Sequence, residues 1–299
     1  MWTFFNLDEQ YRRFPTINRN EVRKILEWIN AQPHLPQLSE QEVLLFYQAC
    51  KHQVEYTKQV IDDSFTFRTH NEDFFGNVDT DSPQMLQAME TVAGFPLEKR
   101  SPEGCVVILG KLINTDSSKF DFVGALKLYC LAQDMWLLEN GLTNGITFVF
   151  DLTGYTFGHL TRIGIGPLKS LLYFLQEAIP VRLFSVHIVN AGSVIETLMA
   201  MLNPLLKPEN KEAFKVHTSV EDLYRYIPQD MLPQELGGPL PHSKELREIF
   251  YKQLRANRQQ IIEYNHSRQV KEELRPAKSK SKASNLFGTE GHFKKLDFD

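Results

Sequence analysis

An α/β architecture is expected here: a mostly parallel sheet with helices packed on it, preceded by a small all-α unit. Three observations point to it. From about residue 100, short uninterrupted apolar runs alternate with longer segments of helical period, the order that right-handed βαβ crossovers produce. Residues 1–75 are instead charged and place apolar side chains at helical spacing. The chain has 299 residues, 42% of them apolar and 23% charged, enough to bury a sizeable core.

The elements follow in order. Asn18 or Asn20 can cap a helix that carries Val22, Ile25, Leu26, Trp28 and Ile29 on one face, and Gln32-Pro33-His34-Leu35-Pro36 stops it. A second helix is expected over about Glu40 to Lys51 and a third over about Glu55 to Arg68, ending at Asp73-Phe74-Phe75-Gly76. This bundle has little core of its own and should dock on another unit. The run Gly104-Cys105-Val106-Val107-Ile108-Leu109 reads as a buried strand, followed by a helix from about Phe122 to Glu139. Ile146 to Asp151 is a second strand, with a helix from about Pro167 to Glu177 after it. Leu183 to Val189 is a third, followed by a helix from Ser193 to Leu202 and a short strand near Phe214 to His217. Residues 241–265 are again helical. Beyond them Arg275, Lys278, Lys280 and Lys282 mark a basic tail of low hydrophobicity, expected to be partly disordered. The expected units are residues 1–80, 81–240 and 241–299.

Composition excludes several classes. A net charge of −4 does not suit a nucleic-acid partner. Cys50, Cys105 and Cys130 are widely spaced, which supports neither a disulfide framework nor a zinc site, and no metal or cofactor is expected. The N-terminus lacks the order of a secretory signal, and no apolar run reaches the ~18 residues of a membrane-spanning helix. A cytoplasmic monomer is expected.

The enzyme signatures fail one by one. There is no GxSxG elbow, no P-loop and no HExxH. Gly164-Ile165-Gly166 precedes a helix as a dinucleotide loop would, but it does not follow a strand directly, and Lys169 stands where the third glycine belongs. His159 and His187 lie near strand ends and read as satisfied core or loop residues. Asp151 sits at the C-terminal end of a buried strand, where it reads as a cap for the turn Leu152-Thr153-Gly154-Tyr155. No catalytic residue is assigned.

The apolar excess needs another explanation. There are 21 Phe against 3 Trp and 10 Tyr, and Phe has no hydrogen-bonding handle. The segment from Val194 to Leu206 is apolar almost all round, and a helix of that kind is buried or covers something greasy. Lys207, Lys211 and Lys215 follow at i, i+4 spacing, with Arg162 and Arg182 as possible additions. An apolar helix followed by a basic one is how a protein touches an anionic bilayer.

At these residues the chain resembles the CRAL-TRIO lipid-binding family. The matching stretches are Gly145 to Gly154, Ile179-Pro180-Val181-Arg182-Leu183, Val186 to Asn190 and the ending Leu232-Pro233-Gln234-Glu235-Leu236-Gly237-Gly238. Trp28 to Pro36 and Ala49-Cys50-Lys51 are similar to the family's helical N-terminal domain, and Phe287 to Asp297 to the tail of its invertebrate α-tocopherol-transfer-like branch.

The resemblance implies a sheet-floored apolar cavity gated by a mobile helix, here Val194 to Leu206. It implies a lining of Tyr129, Ala132, Phe150, Ile163, Leu171, Phe174, Leu175, Ile179, Val181 and Leu183, with Ile195, Leu198, Met199, Leu202 and Leu206 from the lid. A volume of ~300–1,000 Å³ would enclose one small hydrophobic molecule, such as a tocopherol, retinoid, carotenoid or sterol. Phosphoinositide or membrane contact is implied for Arg182, Lys211 and Lys51, beside Lys207 and Lys215. Phe184 and Glu209 replace basic residues of that subgroup, Asn203 a lysine and Leu236 a tyrosine, departures that weigh against phosphoinositide exchange more than against lipid binding.

The function expected is non-enzymatic ligand transfer between membranes by a protein that visits anionic surfaces transiently. A lipid-regulated adaptor or sensor is the alternative, and a nucleotide-binding enzyme built on Gly164 to Gly166 a third.

Overall fold

The computed structural model describes residues 3–276 and 281–287. Four N-terminal helices, α1 (Leu7–Arg13), α2 (Arg19–Asn30), α3 (Glu40–Ala49) and α4 (Val54–His70), form a bundle that the short α5 (Glu72–Phe75) closes. Asn18 caps α2, its side chain accepting from Asn20 N. The α3 start is a capping box: Ser39 Oγ accepts from Glu42 N at 3.3 Å, and Glu42 Oε2 accepts from Ser39 N at 2.8 Å.

Next come α6 (Pro83–Thr91), β1 (Val92–Pro96), β2 (Val106–Leu112), α7 (Phe122–Asn140), β3 (Ile146–Asp151), the short α8 (Phe157–Leu160) and α9 (Ile165–Tyr173). A π-helical turn, Phe174–Ala178, continues α9 and leads to β4 (Leu183–Val189), α10 (Ile195–Leu202), β5 (Phe214–Val216) and the short α11 (Val220–Leu223). The chain ends with α12 (Ser243–Ala256), α13 (Arg258–Ser267) and α14 (Lys282–Phe287). Part of the expected basic tail is therefore helical, and Lys278 and Lys280 lie outside the described residues.

The sheet order is β1-β2-β3-β4-β5. β2 to β5 are parallel, and β1 runs antiparallel to β2. The edge strand β1 was not expected from the sequence, because Val-Ala-Gly-Phe-Pro is short and contains two strand-weakening residues. It is shielded by α12: the Tyr251 hydroxyl donates to Val92 O at 3.0 Å and accepts from Gly94 N at 3.1 Å.

Strand periodicity sorts the sheet into two faces. Ile108, Phe148, Phe150, Val186 and Ile188 face α7 and α9, and Val107, Leu109, Val149 and Val189 pack on the segment from Leu223 to Leu236. The register aligns Ile108, Phe148, Val186 and Phe214 in one row across the sheet, and Gly110, Phe150 and Ile188 in the next.

Candidate functional site

The two rows of the sheet floor a cavity of about 140 Å³. Phe148, Phe150, Val186, Ile188 and Phe214 come from the strands. Leu126, Tyr129, Cys130 and Gln133 come from α7, and Leu168, Leu171, Leu172, Phe174 and Leu175 from α9 and its π turn. Phe120, Phe122, Leu152, Tyr155 and Ile163 close the sides, and Leu198 and Leu202 of α10 cover the top.

Small residues at two positions make the floor possible. A Cβ on Gly110 would stand 2.7 Å from the Phe150 ring and 2.9 Å from the Tyr129 hydroxyl, and one on Gly94 would overlap the Tyr129 ring. Tyr129 lies edge-on to Phe150 with centroids 5.8 Å apart, its hydroxyl donating to Ala93 O at 3.1 Å, and Phe148 stacks beside Phe150 at 5.9 Å. These rings fill space, so the volume is well below the ~300–1,000 Å³ expected for a ligand site.

Of the lining expected from the sequence, the structure brings Tyr129, Phe150, Ile163, Leu171, Phe174, Leu175, Leu198 and Leu202 onto the cavity. Ala132, Ile179, Val181, Leu183, Ile195, Met199 and Leu206 do not line it. Ala132 and Ile179 are buried in the surrounding core, and Leu206 in a small cluster with Leu168, Leu172 and Leu202 that Met199 also touches. Ile195 is partly buried against the main core. Val181 faces a separate cleft and Leu183 another surface pocket. Sequence reading missed Phe148, Val186, Ile188, Gln133 and Phe214. The signal was present: Phe148 is two residues from Phe150 on one strand face, and Gln133 is four from Tyr129 on one helix face.

A latch of hydrogen bonds ties the end of the segment expected to be the lid to the π turn. Gln176, in the π turn, donates to Leu205 O at 3.3 Å and accepts from Lys207 N at 2.8 Å and Asn210 Nδ2 at 3.1 Å. Lys207 also pairs with Glu177. Residues 208–213 are a 3-10 turn and Phe214 begins β5, so the expected i, i+4 face of Lys207, Lys211 and Lys215 is not one continuous helix. Lys211 is exposed, and the Lys215 ammonium lies 5.3 Å from the Tyr226 ring centre.

Lys51 and Arg182 meet elsewhere, in a cleft of about 350 Å³ with Gln48, His52, Thr143 and Asn144. Lys51 and His52 both have left-handed backbone, φ 52° and 62°. The His52 ring stacks on Tyr47 at 4.9 Å and its Nε2 meets Gln48 Oε1 at 2.9 Å, which holds the turn. The cleft thus opens between the N-terminal bundle and the start of β4.

Asp151 and His187 have structural partners, whereas His159, expected to be satisfied, accepts from Thr156 N at 3.1 Å through Nδ1 and leaves its buried Nε2 without a hydrogen-bond partner. Asp151 Oδ1 accepts from Thr153 N at 3.0 Å and from Asn190 Nδ2 at 2.9 Å, and Oδ2 pairs with Lys111 at 3.0 Å. Despite burial, these hydrogen bonds and the Lys111 charge hold the Asp151 carboxyl below the usual range. Lys111 also reaches Glu235 of the LPQELGG ending at 3.4 Å, so that ending closes the C-terminal end of the strands. His187 is not solitary: its Nδ1 lies 2.8 Å from His217 Nε2 and its Nε2 lies 3.0 Å from Ser185 Oγ, on the sheet face away from the cavity. Gly164-Ile165-Gly166 follows α8 rather than a strand, which removes the dinucleotide-loop geometry. Among the described residues no helix is long and apolar enough to cross a membrane, and no group of three metal-ligating side chains gathers.

Comparison with known proteins agrees with this geometry. Residues 92–238 match the CRAL/TRIO domain and residues 15–85 the Pinta-like UBA domain. Clavesin-1 of Xenopus laevis is 27% identical over 233 residues, covering 76% of this chain and 70% of that one. Clavesin-1 of Mus musculus is also 27% identical, and the match covers 65% of it. Human Clavesin-2 is 24% identical over the same length, covering 71% of its chain. The crystal structure of Sfh5 superposes with a TM-score of 0.47 at 14% identity, over 80% of this chain and 98% of that one. These matches do not specifically single out the α-tocopherol-transfer-like branch expected from the tail. CRAL-TRIO proteins bind small hydrophobic ligands and are typically non-enzymatic. With a parallel sheet, an apolar cavity above it and a domain match spanning both, the chain belongs to the CRAL-TRIO family of lipid-binding proteins.

Proposed function

We propose that the protein carries one small hydrophobic molecule, of the tocopherol, retinoid, carotenoid or sterol class, between membranes and performs no chemistry on it. The observation that carries this reading is the apolar cavity between the sheet and α10. Its walls are aromatic and aliphatic, and its cover is a short helix with apolar residues on most sides. At about 140 Å³ the cavity admits a ligand of that size only if rings rotate and the lid lifts. The lid suits that task. Its buried cluster is only Leu168, Leu172, Leu202 and Leu206, and Met199 and Met201 repack easily. Lifted, its apolar face exchanges cavity contacts for acyl chains.

The cleft with Lys51 and Arg182 is the better candidate for an anionic headgroup, phosphoinositide included, because two cations meet there beside amide donors. Lys207, Lys211 and Lys215 flank the lid's exit and add a weaker attraction to an anionic surface. The protein works as a cytoplasmic monomer that touches membranes transiently.

Native mass spectrometry after a gentle preparation tests the reading and should find one apolar ligand per chain. Leu198→Asp places a charge at the cavity roof and should cut ligand loading by at least tenfold with the circular dichroism spectrum unchanged. Lipid-free protein that takes up no terpenoid or phospholipid would sink the proposal.

An adaptor or sensor role is favoured by one observation, the docking of α13 and α14 back onto the N-terminal bundle, which gives a bound ligand a route to a distant surface. Ligand movement between two vesicle populations separates the readings. Fast transfer marks a carrier, and tight retention marks a sensor.

A further inference from the structure

We propose that Gln133 is the polar anchor of the cavity and that the ligand carries an oxygen acceptor, a hydroxyl or carbonyl, at its buried end. This rests on the cavity being the ligand site.

Gln133 is 2% exposed, it lines the cavity, and its Nε2 has no hydrogen-bond partner. A buried amide N–H without a partner is rare, because burial strips its water and offers nothing in return. A long apolar residue at this helix position would avoid that cost. The neighbouring polar groups are less able to serve. The Tyr129 hydroxyl, one turn earlier on α7, is committed to Ala93 O. Cys130 is a buried thiol and a weak donor, and burial pushes its pKa up to about 12, so it stays neutral. Tyr155 also reaches the wall and is the rival anchor.

Charge decides the ligand's chemistry. No cation lines the cavity, so a carboxylate or phosphate would enter unpaired and is disfavoured. A neutral oxygen matches a lone neutral amide donor. An apolar body then fills the space among Phe148, Phe150 and Leu198. Within the hydrophobic class such a donor favours oxygen-bearing molecules such as a chromanol, retinol, retinaldehyde or sterol, and disfavours pure hydrocarbons such as carotenes.

Matched probe pairs test it on the full chain. Retinol, α-tocopherol and cholesterol are each compared with the deoxy hydrocarbon of the same skeleton, which lacks the acceptor oxygen, on wild type, Gln133→Leu and Gln133→Met. Wild type should prefer the hydroxylated member of the pair it binds best by about tenfold, the worth of one buried neutral hydrogen bond. Both variants should lose that preference while keeping hydrocarbon affinity. A readout without ligand accompanies this. Lipid-free Gln133→Leu should melt at or above the wild-type temperature, since it removes an unpaired amide. If the preference survives in the variants, Tyr155 or another group holds the oxygen and the anchor assignment is wrong, though the cavity reading stands. A lipid-free Gln133→Leu that melts several degrees lower shows a structural bond and overturns the assignment too. If wild type binds no probe in any pair, the cavity reading itself fails and takes the anchor with it.

Discussion

Gly110 lacks a side chain because Phe150 and Tyr129 already occupy the place one would take. Gly110→Ala should push the Tyr129 ring off Ala93 O and into the cavity. The expected cost is about 1–3 kcal/mol, with ligand loading reduced more than the denaturant midpoint. A normal load with unchanged stability would show that the floor yields freely. On the opposite face, burial, then His217, then Lys215 lower the His187 pKa from its ordinary 6.5 to about 4. The His217 pKa is lowered as well, chiefly by burial, with Asp222 opposing the shift. The unfolded chain takes up a proton at higher pH than the folded one. Stability from this pair is therefore complete above about pH 6.5 and is lost as the pH falls toward 4. His187→Gln should flatten that acid-side fall in melting temperature, with differences on the order of 3 °C at pH 5. Parallel curves for variant and wild type would contradict the assignment. At this scale the sequence showed which residues were apolar and which were histidines. It did not show that His217 stacks on His187, because the two are joined only through the β4–β5 register.

The segment proposed as the lid was legible in its composition, and its attachment was not. Its apolar character over Val194 to Leu206, interrupted only by Glu196, Thr197 and Asn203, stands out because a surface helix would alternate. The latch does not stand out, because Gln176 is an ordinary polar residue in the sequence and becomes a hub only when the π turn aims it at Leu205, Lys207 and Asn210. The same limit explains the misread basic face. Spacing of four residues places lysines together only on a helix, and Pro208 starts a short 3-10 turn that Phe214 ends in extended backbone. Gln176→Ala removes three bonds that hold the lid's C-terminal end and leaves the cavity wall intact. It should speed release of a bound fluorescent terpenoid by about fivefold to thirtyfold, the effect of 1–2 kcal/mol on an opening barrier, with equilibrium stability reduced by less. Stopped-flow transfer to acceptor vesicles measures it, and an unchanged release rate would place the hinge elsewhere.

Across the whole molecule, the cavity's back wall is also the seam between domains. Phe174 lines the cavity and stacks on Phe67 of α4 at 5.5 Å, with Phe75 edge-on at 5.3 Å. Beside this cluster Arg68 grips Asp134 of α7 with two bonds of 2.6 and 2.8 Å, both side chains largely buried. The C-terminal helices return to the same bundle: Arg268 clamps Glu42 at 2.6 and 3.0 Å, and the Asp63 carboxylate accepts from Lys282 N at 2.7 Å at the start of α14. The docking of the N-terminal bundle was legible, since the three helices expected there have little core of their own and need another unit to pack on. The C-terminal return was not, because an ion pair between residues more than 200 positions apart leaves no local pattern. Bundle, sheet and C-terminal helices should therefore unfold together. The Arg68–Asp134 pair tests this most directly. Asp134→Ala leaves the Arg68 guanidinium buried beside aromatic rings, which should cost about 3–5 kcal/mol and lower the melting temperature by on the order of 10 °C. The double change Arg68→Met with Asp134→Leu removes both charges and keeps their volume, and should regain most of that loss. Urea unfolding followed by far-ultraviolet circular dichroism and by tryptophan fluorescence measures both effects. Coincident transitions in wild type mark one cooperative unit. A loss under 1 kcal/mol in Asp134→Ala, or a double variant no more stable than the single one, would mean that the aromatic cluster alone holds the seam.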